Sequence, residues 1–201
     1  MDYFVEERES FKRIIFFVPD DSVEKVINSK VMEVIEPKLG KDKADYVYLC
    51  VKEIVNYLTA LNVINITGVS RIDEKTSLLL SDSYLGYVRD KAKAKKSFVG
   101  IDIIKRNDGV VIEVHNSYRL PENHEKRIRD LLKNLSLGKQ FEVSLSSYKG
   151  YDFIFSIMTV WYILKEIGIE NKFFRIGNVG NRTVVRIEIP FSENYKSVRD
   201  A

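Results

Sequence analysis

Phe98–Asn116 reads FVGIDIIKRNDGVVIEVHN, and this stretch decides the fold. Apolar and polar residues alternate on both sides of Asn107, Asp108 and Gly109, the period-two pattern of strands that each bury one face. The Asn-Asp-Gly turn is expected to supply positive φ angles and so to close an antiparallel hairpin. The same arrangement returns near the end of the chain. There NKFFRIG, from Asn171, and TVVRIEIP, ending at Pro190, are separated by Asn178, Val179, Gly180 and Asn181.

Between the hairpins lie two helical patterns. Pro121 and Glu122 open the first, whose Ile128, Leu131, Leu132 and Leu135 form one apolar stripe that ends near Gly138. The second, about Tyr151 to Ile167, is apolar enough to be buried. Upstream, FKRIIFFVP from Phe11 to Pro19 suits a strand. Asp20, Asp21 and Ser22 then offer N-caps to an amphipathic helix with Val23, Val26, Ile27, Val31, Val34 and Ile35 on its inner face, which Pro37 and Gly40 are expected to stop. A second helix is predicted over about Asp42–Leu61. Its Val47, Leu49, Cys50, Val51, Ile54, Val55, Leu58 and Leu61 occupy nearly all sides, which places it deep in the domain. The segment Asn62–Ser97 mixes β-branched residues with turn formers and ends in a short basic helix, YLGYVRDKAKAKK.

Strands and helices in this order predict an α/β fold, a two-layer α+β sandwich with a mixed, mostly antiparallel sheet and helices on one face. Residues 1–201 read as one domain, with a polar tail after Phe191 that is expected to be loose.

At 201 residues, 45% of them hydrophobic, the chain can bury a core without disulfides or a structural metal. The 32 basic and 29 acidic residues leave a net charge of +3, too small and too mixed to call for a nucleic-acid partner. One cysteine, Cys50, and two histidines, His115 and His124, supply no zinc cluster. The start, MDYFVEERES, lacks the basic and apolar regions of a signal peptide. The apolar region Tyr151–Ile169 is broken by Asp152, Lys165 and Glu166, so no membrane span is expected, and a reducing cytoplasm fits. No P-loop, dinucleotide fingerprint or G-x-S-x-G elbow is present in the sequence.

The last half, from VVIEVHNSYRLPE through SSYKGYDFIFSIMTVWYILKEIG to FFRIGNVGNRTVVRIEIP, resembles the histidine-kinase-like ATPase (GHKL) superfamily. In that superfamily a strand ends in a polar motif that holds adenine. A lid then leads through a glycine-rich motif into a long helix, and a closing hairpin carries a Thr. With KEIVNYL on the preceding helix, the resemblance covers about Asp42–Pro190, with 68–96 as an insertion. It implies Glu53 as general base, Asn56 near the metal, Asn116 and Thr183 at the adenine, and Lys149 and Gly150 at the phosphates. The matches are incomplete. The position four residues after Glu53, where the superfamily has its metal-binding Asn, is Tyr57, and the glycine-rich motif is reduced to Lys149, Gly150, Tyr151 and Asp152. The resemblance therefore implies a degenerate ATPase-like domain, a regulatory or protein-interaction module with ATP and Mg²⁺ binding weak or absent and a protein partner. The alternative it leaves open is an active ATP-dependent serine protein kinase of the anti-sigma-factor type. A third reading, from the residues alone, is a nucleic-acid binder that uses Arg89, Lys91, Lys93, Lys95 and Lys96 with Tyr84 and Tyr87.

Overall fold

The computed structural model describes residues 3–68, 82–138 and 154–198. Two strands, β1 (Tyr3–Arg8) and β2 (Phe11–Phe16), precede helices α1 (Asp21–Leu39) and α2 (Lys41–Thr67). After α3 (Asp82–Ala94) come β3 (Val99–Lys105), β4 (Gly109–Asn116), α4 (Glu122–Ser136) and α5 (Ile154–Glu166). A 3-10 turn, Asn171–Phe173, leads into β5 (Phe174–Val179) and β6 (Arg182–Pro190). Both expected hairpins form, and the first strand pairs with an additional one, β1, in the acidic start.

The sheet has six strands in the order β1-β2-β3-β4-β6-β5, and every pairing is antiparallel. This corrects the mixed sheet expected from sequence: each neighbour is reached by a hairpin or by a connection that returns in the opposite direction. Residues directly opposite across a ladder share a face. One row therefore runs Ile14, Ile101, Val114, Val185 and Ile176, and the next runs Lys12, Ile103, Ile112, Ile187 and Phe174. Their apolar members join the inner faces of α1, α2, α4 and α5 in one hydrophobic cluster.

The opposite face carries a charged row, Glu6, Arg13, Asp102, Glu113, Arg186 and Arg175. Arg13 grips Asp102 with two hydrogen bonds of 2.7 and 2.8 Å, and Arg186 pairs with Glu113 at 2.7 Å. Burial pushes the Asp102 carboxyl up, but the Arg13 and His115 side chains outweigh it and hold the group down at about 2.

Three local expectations change. Helix α1 continues through Pro37 and stops at Gly40, because a proline in the last turn removes only one carbonyl's donor. Asp20 caps its start as expected, accepting from the Ser22 and Val23 N–H groups at 3.0 Å each. In the β3–β4 hairpin none of Asn107, Asp108 and Gly109 has a positive φ. Gly109 is needed for space instead, since a Cβ there would lie 2.5 Å from the Ile189 carbonyl and from the Tyr195 ring. The β5–β6 hairpin does use glycine for its backbone: Gly180, at φ +58°, opens a two-residue turn.

The described part of the tail, Ser192–Val198, is also not loose. Tyr195 Oη, Ser197 Oγ and the Val198 N–H all donate to the Glu188 carboxylate, at 2.9, 3.0 and 3.0 Å, and Glu188 is fully buried.

Helix α2, at 27 residues with a mean hydropathy of 1.3 over its most apolar window, is long and apolar enough to cross a membrane. Half of that window is buried inside the fold, where α2 packs against α1, α3, α5 and the sheet, the position of a core helix. Cys50 on this helix is fully buried with its Sγ 3.9 Å from the Val160 carbonyl, and burial pushes its thiol up to about 12.

Candidate functional site

The end of the sheet where β4 stops carries three polar residues of the inner face, Asn116, Thr183 and Asn178. Asn116 follows Val110, Ile112 and Val114 on the core side of β4, and Thr183 precedes Val185, Ile187 and Ile189 on β6. Both side chains are fully buried. The Thr183 N–H donates to Asn116 Oδ1 at 3.4 Å, so the register brings these two candidates together. Asn178 lies opposite Thr183 on β5 and extends the same row.

This row holds the strand-exit loop. Tyr118 donates its N–H to Asn116 Oδ1 at 3.3 Å, and its carbonyl accepts from the Thr183 N–H at 2.7 Å and from Thr183 Oγ1 at 2.8 Å. Asn178 clasps Leu120 from both sides, accepting its N–H at 2.8 Å and donating to its carbonyl at 3.1 Å, and also donates to Glu125 at 2.6 Å. Asn116 Nδ2 is buried without a hydrogen-bond partner, an outstanding donor at the centre of the row.

Glu53 and Asn56 sit on α2, both half-buried. Glu53 accepts a hydrogen bond from Ser156 Oγ on α5 at 3.0 Å. Tyr57, one residue beyond Asn56, is only 1% exposed, and burial raises its phenol above the ordinary value. The far part of α2 reaches the row's end of the sheet, where Asn62 Nδ2 donates to the Phe98 carbonyl at 3.1 Å. Among the described hydrogen bonds nothing joins Glu53 or Asn56 to Asn116 or Thr183. Lys149 and Gly150 lie outside the described residues, as do residues 69–81 of the expected 68–96 insertion.

No family model, curated protein or solved structure matches this chain. The site is therefore read from its own chemistry. The row offers one donor from Asn116 and a ring of backbone polar groups already in use. Among the described residues no group of three or more metal-ligating side chains converges.

On the outer face His115, the neighbour of Asn116, lies over Gly100, where a Cβ would come within 2.4 Å of its Cε1. Its Nε2 is 3.7 Å from Asp102 Oδ2, and neither ring nitrogen has a hydrogen-bond partner. Of the basic cluster, Arg89 pairs with Asp20 at 3.3 Å, Lys95 donates to the Ile66 carbonyl at 3.2 Å and Lys91 lies over the Tyr87 ring. Those three groups are engaged within the fold rather than aligned as a phosphate track.

In the sequence Asn178 reads as a turn former; in the fold it holds the strand-exit loop against the closing hairpin. An Asn two residues before a turn glycine is an ordinary turn signal, and only the register reveals what it faces. Asn178→Ala is expected to strand the Leu120 N–H and carbonyl and cost about 1–3 kcal/mol. Thermal unfolding checks it, and a variant as stable as the parent would remove Asn178 from this role.

Proposed function

We propose that the chain is a degenerate member of the GHKL superfamily, a cytoplasmic regulatory or protein-interaction module in which ATP binding is weakened or lost. The observation that carries this reading is the row Asn116–Thr183. In the superfamily the residues at these positions serve adenine, and here they sit side by side with a buried amide donor still unused.

The same row argues for erosion of the chemistry. Thr183 Oγ1 is committed to the Tyr118 carbonyl, and both side chains are sealed from solvent. Phosphoryl transfer needs a metal ligand, a phosphate cradle and a base held within fractions of an ångström. Tyr57 occupies the metal ligand's place as a buried core residue, and Glu53 is engaged by Ser156. A fold needs only its apolar periodicity and outlasts such losses.

Titration of the protein with ATP and ADP, with and without Mg²⁺, tests the reading by thermal shift. A nucleotide binder at a hundredfold excess over its dissociation constant gains about 2.7 kcal/mol, or about 5–10 °C for a domain of this size. A shift below about 2 °C is expected here. A large Mg²⁺-dependent shift, with hydrolysis lost in Glu53→Ala, would overturn the reading in favour of the anti-sigma-type serine kinase.

A further inference from the structure

We infer that two copies of this chain associate through the outward faces of α2 and α5. Three large hydrophobic residues are exposed there: Tyr46 at 43%, Leu49 at 44% and Tyr162 at 50%. They are not scattered, because α2 and α5 pack against each other in antiparallel register. Cys50 Sγ meets the Val160 carbonyl at 3.9 Å, and Glu53 accepts from Ser156 at 3.0 Å. As α2 is followed back from Cys50, α5 is followed forward from Val160. Leu49 is then level with the turn Thr159–Tyr162, and Asp45 is level with Lys165.

Positions 45, 46 and 49 recur at helical spacing on one face of α2, and 159, 162 and 165 do so on α5. Tyr46 and Leu49 project beside a buried seam of Val47, Cys50, Ile54, Val160 and Leu164. Tyr162 stacks edge-on against Trp161, which fixes its ring on the surface. A contiguous apolar patch on two packed helices is the kind of surface that marks a protein contact.

The charges flanking the patch point to a second copy as its occupant. Asp45 and Lys165 are both exposed. Among the described residues Asp45 pairs with no cation, and Lys165 meets only the face of Trp161, 5.3 Å away, and no carboxylate. A two-fold axis parallel to the helices and between them lays α2 of one copy on α5 of the other and keeps every residue at its own height. Tyr46 and Leu49 then meet Tyr162 of the second copy, and Asp45 meets its Lys165. Because the contact is isologous, the pair forms twice, once at each flank of a four-helix packing. This surface is separate from the Asn116–Thr183 row, and the inference does not rest on the nucleotide reading.

Light scattering after size exclusion, or sedimentation velocity, on the full chain tests it. A dimer is expected in the micromolar range. Leu49→Glu and Tyr162→Glu should each give monomers, with melting curves showing that both remain folded. Asp45→Lys and Lys165→Asp should each weaken the dimer about tenfold, while the double reversal restores it. The inference is overturned by a monomer at about 100 μM, where a micromolar contact is saturated. It is equally overturned by a dimer indifferent to Leu49→Glu, or by a double reversal as weak as its singles.

Discussion

Arg13→Ala is expected to lower the melting temperature by about 6–12 °C at neutral pH, following a loss of about 3 kcal/mol. Arg13 spans from β2 to Asp102 on β3 with two hydrogen bonds, and the Asp102 side chain is only 9% exposed. Removing the guanidinium leaves a buried carboxylate beside the His115 ring, whose Nε2 is 3.7 Å from Asp102 Oδ2. The cost sits at the low end of that for a broken buried pair because the Arg13 side chain is 36% exposed and already partly solvated.

The pH dependence gives the prediction a signature. Asp102 is held down at about 2 in the folded protein, below the ordinary carboxylate value of about 3.9. A depressed group stabilises above the unfolded value, and its contribution is lost as pH falls through the folded one. The gap between parent and Arg13→Ala should thus be full at neutral pH and close in acid. Glu7, Glu33 and Asp20 are also depressed, first by hydrogen bonds from Lys30, Lys12 and Ser22 respectively, so the parent itself weakens over the same acid range. Melting curves of both proteins across acid and neutral pH decide the matter. A gap unchanged at the acid end would mean that the Asp102 charge is not what Arg13 serves.

Glu188→Ala is expected to release the C-terminal strap. The carboxylate is fully buried on the outer face of β6 and accepts from Tyr195, Ser197 and Val198. Hydrogen bonds to a charged acceptor are worth about 1.5–3 kcal/mol each, but a freed tail rehydrates its own donors. The global loss should be about 2–4 kcal/mol, while amide exchange at Val198 accelerates by about a hundredfold. An unchanged exchange rate would show that packing of Tyr195 on Gly109 and Phe173 holds the strap alone. Strong alkali should act on the same latch. Burial first, and then the bond to Glu188, raise the Tyr195 phenol above its ordinary value. Stability from the neutral phenol is present below the ordinary value of about 10 and is lost as pH rises through the raised one.

The particular elements show what was legible in the sequence. The hairpins at Phe98–Asn116 and Asn171–Pro190 and the stripes of α1, α2 and α4 are local periodicities, so each could be read within a window of some twenty residues or fewer. β1 is not legible in the sequence because YFVEER is short and acidic, and its strand character comes from pairing with β2 and from Glu7 meeting Lys12 and Lys30 on the helix side. Of the candidate site residues, Asn116 and Thr183 are brought together by the register of β4 on β6. Glu53 is bound instead to Ser156, a residue 103 positions away in sequence that no local pattern links to it.

By itself the sequence determined the two-layer α+β class, the order of its elements from β2 onward and the depth of α2, because hydrophobic period and turn chemistry act over a few residues. Only the tertiary structure decided the all-antiparallel strand order, the row of Asn116, Thr183 and Asn178, the strap on Glu188 and the level matching of α2 with α5. Each of those depends on which distant side chains the packing brings within hydrogen-bonding or van der Waals reach, and sequence spacing does not encode that distance.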